Sequence, residues 1–81
     1  MRKLKISIIA QDKIFYQGEA DALFAPTQTG LIEVLPGHMQ LVSALAQGEI
    51  ILKTNGETKK FTISGGVLEV RAESNVIILL N

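Results

Sequence analysis

Glu49–Ser64 reads EIILKTNGETKKFTIS. On either side of Asn55-Gly56 lies a run of about six residues containing several β-branched side chains. Asn-Gly accepts positive φ at both central positions of a two-residue hairpin loop, so type I′ geometry is expected there. Strands at Glu49–Thr54 and Thr58–Ser64 follow. Gly48 marks the entry to this hairpin and Gly65-Gly66 its exit. The two adjacent glycines permit a tight reversal or a close approach of backbone to backbone.

The same signature extends in both directions. Ten Ile, five Val and five Thr favour pleated sheet. In Lys3–Ala10, Leu4, Ile6, Ile8 and Ala10 share one face and Lys3, Lys5 and Ser7 the other. Gln11-Asp12-Lys13 turns the chain. Ile14–Ala25 is extended again with Gly18 as a bulge or bend, and it places Ala20, Ala22 and Phe24 opposite Glu19 and Asp21. Residues 25–30 read as a loop, Leu31–Leu35 as a short strand and Pro36-Gly37 as a turn with Gly37 at positive φ. Met39, Val42 and Leu45 are three apart, but a strand fits this short segment before Gly48. Val67–Arg71 and Val76–Leu80 are strands joined by a turn at Glu73-Ser74-Asn75. The expected fold is all-β: a small flattened β-sandwich of about eight to ten short strands, one domain over residues 1–81. VIILL at 76–80 is apolar on both faces, which suits a central strand covered on both sides or one whose outer side meets another protein.

Eight basic and eight acidic residues balance, and the short basic clusters at Arg2-Lys3-Lys5 and Lys59-Lys60 look like solvated strand edges. A neutral chain has no electrostatic grip on nucleic acid or anionic lipid. With no cysteine there is no disulfide framework, thiol nucleophile or cysteine zinc site, a composition compatible with a reducing compartment. No apolar run approaches a membrane span and the N-terminus lacks a signal-peptide core, so membrane association is expected only through partners. The single histidine, His38, has no second histidine for a metal site. Ser43 and Ser64 lack a nucleophile elbow, and Gly65-Gly66 lacks the lysine and helix of a phosphate loop. Three Phe and one Tyr are too few for a base-stacking platform. No catalytic residue, cofactor or metal is expected. His38 is expected in a surface loop, as a contact residue or as a hydrogen-bonding fixture of the loop itself.

Three motifs in order carry a resemblance. Asp12, Phe15 and Gly18 come first. Gly30 and Leu35-Pro36-Gly37-His38 follow, with Leu41, Leu45 and Gly48. Ser64-Gly65-Gly66-Val67-Leu68-Glu69-Val70 then precedes the last strand. The chain resembles, over essentially its whole length, the N-terminal β-sandwich of the epsilon subunit of F-type ATP synthases. The resemblance implies a non-catalytic part of the central stalk. One face would pack on the gamma subunit. A loop set of Thr27, Thr29, Gly30, Leu31, Ile32, Glu33, Pro36, Gly37, His38, Met39 and Gln40 would seat on the membrane c-ring. The domain would help transmit torque between proton transport and ATP synthesis, bound peripherally on the cytoplasmic side of a cell inner membrane. The family loop usually reads Gly-Glu-Leu-Gly, whereas Gly30 is followed here by Leu31, Ile32 and Glu33, so the ring contact is expected to differ. Members usually continue into a C-terminal helical hairpin. The sequence stops at Asn81, and neither ATP binding nor hairpin-mediated inhibition is expected of it.

The alternative is a biotinyl or lipoyl carrier domain, which is also a small sandwich. Phe24-Ala25-Pro26-Thr27 with Gly30 echoes its Ala-Pro-x-x-Gly region. A carrier needs a lysine displayed at a hairpin tip, however, and Lys53 lies within a strand while Lys59-Lys60 lacks the usual neighbours. An RNA-binding barrel is opposed by the neutral charge and the sparse aromatic residues.

Overall fold

The computed structural model describes residues 2–81. Its strands are β1 (Leu4–Ala10), β2 (Lys13–Ala20), β3 (Ala22–Thr27), β4 (Gly30–Val34), β5 (Leu41–Leu45), β6 (Gly48–Thr54), β7 (Glu57–Ile63), β8 (Gly66–Arg71) and β9 (Asn75–Leu80). They form one connected sheet in the order β2-β1-β9-β8-β5-β3-β6-β7, with β4 on the other edge of β3. The sheet folds over where β3 meets β5, through the single pair Thr27–Leu45. The result is a flattened sandwich.

Alternation along the strands builds the core between the layers. β1, β9, β8 and β5 contribute Leu4, Ile6, Ile8, Val76, Ile78, Leu68, Val70 and Leu45; β3, β4, β6 and β7 contribute Leu23, Ala25, Val34, Ile50, Leu52 and Ile63, all buried. β9 is central, parallel to β1 and antiparallel to β8. Its inner residues Val76 and Ile78 are fully covered, whereas Leu79 on its outer side is 47% exposed. The run is therefore a central strand covered on its inner side only, and its outer side is open.

Three hairpin turns, two of two residues and one of three, each carry two consecutive residues in the left-handed region. Asn55 and Gly56 have φ of 51° and 80°, as expected for type I′. Gln11 and Asp12 do the same at 50° and 63°, and Glu73 and Ser74 at 62° each. Asn75 N–H donates to the Ala72 carbonyl and closes the last of these, the Ala72–Ser74 turn.

Three local expectations are corrected. Ile14–Ala25 is not one extended segment: it breaks at Asp21, where the chain passes from one layer to the other. That crossing shifts the alternation by one position, so Leu23 and Ala25 enter the core and Phe24 does not. Gly18 pairs regularly with Ile6, and the irregularity lies at Phe15, the extra residue between the pairs Ile8–Tyr16 and Ile9–Ile14. Ala25-Pro26-Thr27 is not loop but the end of β3, paired with Ile32, Leu31 and Gly30. Pro26 has no N–H to donate and sits beyond the last β3–β6 pair, Phe24–Ile51, while its carbonyl accepts from Ala46 N–H.

The Asp21 crossing is tied down. Its carboxylate receives the Lys3 ammonium at 2.6 Å and Asn55 N–H at 3.0 Å, while Lys3 also donates to the Asn55 side-chain oxygen at 3.0 Å. The Lys3 bond first, then the Asn55 N–H, hold the Asp21 carboxyl below its ordinary pKa. Across the facing edges of β2 and β7, the Phe61 ring meets Phe15 edge-on at 5.8 Å and Tyr16 at 5.3 Å, with Lys59 Nζ 5.1 Å from the Tyr16 ring. The bulge turns Phe15 to the Tyr16 side, so both rings close this seam.

Candidate functional site

The expected loop set, residues 27–40, resolves into an edge strand with a turn at each end. β4 pairs only with β3. Its inward residues are Ile32 and Val34; Leu31 and Glu33 face out, and Leu35 continues that outer line just beyond the strand. Leu31 is 69% exposed, Leu35 47% and Met39 78%. Four residues of extended chain span about 13 Å, so Leu31 and Leu35 are the ends of one apolar strip with the Glu33 carboxylate between them.

Thr27 takes no place on that surface. It is buried, its Oγ1 donates to the Gly30 carbonyl at 2.5 Å and accepts from Thr29 N–H at 3.3 Å, and so it braces the β3–β4 tip from beneath. Gln28 Nε2 donates to the Leu45 carbonyl at 3.1 Å and fixes the tip to β5.

At the other end of the strip, His38 N–H donates to the Leu35 carbonyl at 3.0 Å and Gly37 has φ +85°. Proline at the second position and glycine at the third make this a type II turn. His38 Nδ1 lies 2.8 Å from the Met39 carbonyl. A carbonyl can only accept, so Nδ1 carries the proton and the imidazole fixes the chain just after the turn. No carboxylate or hydroxyl is bonded to the ring among the described residues. Nor is any group of three His, Asp and Glu side chains placed to hold a metal among them. The turn borders an open cleft of about 900 Å³, lined also by Arg2, Lys5, Arg71 and the Glu73-Ser74 turn.

A second surface was not assigned from sequence. The registers of β5, β8, β9, β1 and β2 align Ala44, Val67, Leu79, Ile9 and Ile14 in one cross-strand row on the outer side. Ala44, Val67, Leu79 and Ile14 are exposed and Ile9 is half-buried. Two rows away, the outer face ends in Arg71, Asn75, Lys5 and Glu19. An apolar band with a charged margin is the make-up of a protein interface. The only signal for it in the sequence was the double-faced run at 76–80. Strand order decides which outer residues become neighbours, and periodicity carries no strand order.

The lysines that a carrier domain would need are otherwise engaged. Lys53 Nζ donates to Thr58 Oγ1 at 3.1 Å within the β6–β7 ladder, and Lys59 lies over Tyr16. Asn55-Gly56, not a lysine, forms that hairpin tip.

The molecule is a small β-sandwich with most of its exposed large apolar residues in a strip and a band, the make-up of a binding domain. Residues 3–81 match the family described as ATP synthase, Delta/Epsilon chain, beta-sandwich domain, and the chain belongs to that family. The ATP synthase epsilon chain of Prochlorococcus marinus strain AS9601 is 36% identical over 78 residues, covering 96% of this chain and 58% of the relative. That of Leptospira interrogans (strain Fiocruz L1-130) is 36% identical over 76 residues, 94% of this chain and 60% of the relative. The chain thus spans somewhat over half the length of these curated relatives. A chain in the structure of the Euglena gracilis mitochondrial ATP synthase OSCP/F1/c-ring superposes with a TM-score of 0.92 at 27% identity, covering 99% of this chain and 51% of that one. A chain of the Tetrahymena thermophila central stalk/c-ring shares the fold, at TM-score 0.81 and 16% identity, over 98% of this chain and 63% of that one.

Proposed function

We propose that this chain is the sandwich of a non-catalytic central-stalk subunit of a rotary F-type ATP synthase. It binds the gamma subunit on one face and the c-ring on another, and so helps couple proton transport to ATP synthesis at the cytoplasmic side of the inner membrane. The observation that carries this reading is the presence of two separate apolar surfaces on one rigid body. A linker needs two docking sites that do not overlap, carried on a stiff frame. The row Ala44–Val67–Leu79–Ile9–Ile14 is assigned to gamma because it is broad, flat and charged at its margin, as a lasting interface requires. The narrower strip Leu31–Glu33–Leu35, with Met39 and the His38 turn, is assigned to the ring. The acidic residue of this contact is Glu33, flanked on the outer face by Leu31 and Leu35.

The test is reconstitution of the chain with gamma and c-ring subunits. Leu79→Glu is expected to keep the thermal midpoint within a few degrees, since the side chain is half exposed, and to abolish gamma binding. His38→Ala is expected to leave the sandwich folded by circular dichroism and to weaken ring seating while gamma binding persists. Failure of the unaltered chain to join either partner, under conditions where the complex is intact, would refute the assignment.

A further inference from the structure

The turn after β8 is made from the wrong residues for its shape. Glu73 and Ser74 both have φ of 62°, and neither is Gly or Asn. Strain of this kind persists where the surrounding structure uses it. Ser74 has such a use. Its Oγ accepts a hydrogen bond from Gly37 N–H at 3.0 Å, across 37 positions of sequence. In a type II turn the N–H of the third residue is left outside the turn's own bond, so Gly37 N–H depends on an outside acceptor. On the same turn, Arg2 Nη1 lies 2.9 Å from where a Gly37 Cβ would stand, so the guanidinium rests against the bare α-carbon.

We infer that Ser74 is a positioning residue for the ring-facing turn: the strained Glu73-Ser74 hairpin holds Gly37, and through it His38 and Met39, in the orientation that contacts the partner. This rests on the ring-facing reading of the His38 turn. The two turns act as one rim of the cleft. Strain in one secures the geometry of the other, so relaxing the first loosens the second.

Two variants of the 81-residue chain separate the hydrogen bond from the strain. Ser74→Gly relaxes the backbone and removes the acceptor. Ser74→Asn relaxes it and keeps an acceptor oxygen, since Asn tolerates positive φ. Both are expected to raise the denaturation midpoint. In Ser74→Gly, hydrogen exchange at the Gly37 amide is expected to quicken roughly three- to tenfold, the worth of one net hydrogen bond. In Ser74→Asn the Gly37 rate stays near that of the unaltered chain. Ring binding is expected to weaken only in Ser74→Gly, giving a stabler fold with a poorer contact. Unchanged Gly37 exchange in Ser74→Gly, or equal exchange in the two variants, overturns the inference. Faster Gly37 exchange with undiminished ring binding overturns the ring-facing reading instead, because the latch then exists and the ring does not use the turn it holds.

Discussion

Gly66→Ala is expected to be among the most damaging single-methyl additions in this chain, and its cost follows from position. Gly66 opens β8 and is paired on both sides, to Leu45 of β5 and Leu80 of β9. A Cβ at Gly66 would stand 2.1 Å from the Leu79 carbonyl oxygen and 3.0 Å from Leu80 Cα. Both are backbone atoms of a central strand, so neither can swing aside as a side-chain end would. Moving them means opening the β8–β9 ladder. Overpacking of this kind costs about 1–3 kcal/mol. The backbone adds to it, since φ of +149° lies in a region open almost only to glycine, at about 1–3 kcal/mol for another residue. The sum, about 2–6 kcal/mol, is a large part of the roughly 4–12 kcal/mol total stability of a domain this size. At about 4–8 °C per kcal/mol the thermal midpoint should fall by at least about 8 °C. Gly30→Ala is the control. Gly30 has φ of +128° but nothing within 4 Å of its Cβ position, so it carries the backbone cost alone. Midpoints followed by far-ultraviolet circular dichroism, with urea titration for the free energies, read the difference. Equal losses for the two variants would refute the steric reasoning.

Further outcomes follow from contacts already described. Asp21→Asn should destabilise the domain at neutral pH and lose that effect in acid. The folded carboxyl is held below its ordinary pKa, so in that window the unfolded chain binds more protons. The Asp21 contribution is therefore complete above the ordinary value of about 4 and disappears as pH falls through the folded value. Urea midpoints of both proteins at about pH 7 and about pH 2 check it, and a gap that widens in acid would contradict the sign. Phe61→Ala should cost roughly 2–3 kcal/mol, from half-burial and two ring contacts, and Phe15→Ala less, because Phe15 is 60% exposed. The reverse order in chemical denaturation would mean that Phe61 is not the centre of the seam.

Much of this fold was legible from residue pattern because alternation and turn chemistry agree. Asn55-Gly56 marked its hairpin, and Leu4, Ile6 and Ile8 marked the inner side of β1. Pro36-Gly37 fixed a turn with Gly37 at positive φ. What escaped depended on three-dimensional crossings. Asp21 reads as a polar residue on a strand, yet there the chain changes layers and the Leu23–Ala25 pair replaces Phe24 inside. Phe15 reads as an ordinary alternating position, and only the β1 register reveals the extra residue. The functional region was legible in part. The span 27–40 was singled out with a short strand at Leu31–Leu35, and the structure has that strand at Gly30–Val34, on an edge that residue pattern does not reveal. Thr27, included as a contact, is buried beneath it. The β9-centred row was beyond reach, since Ala44, Val67 and Ile14 become neighbours only through strand order.

The parallel pairing of β1 with β9 sets the order in which this domain can assemble. Residues 5–10 lie beside residues 75–80, seventy positions later. β1 can form its local hairpin with β2 early, and β6 with β7, but β1 and β8 have no common neighbour until Asn75–Leu80 arrives between them. Closing so long a loop is slow, and proteins dominated by such pairings fold in milliseconds to seconds. During synthesis the nascent chain therefore holds two partial sheets with Leu4, Ile6, Ile8, Leu68 and Val70 uncovered until Leu80 has left the ribosome. In that interval the neutral, Ile-rich strands are open to wrong partners, so the last six strand residues govern when the domain becomes safe from aggregation as well as how it ends.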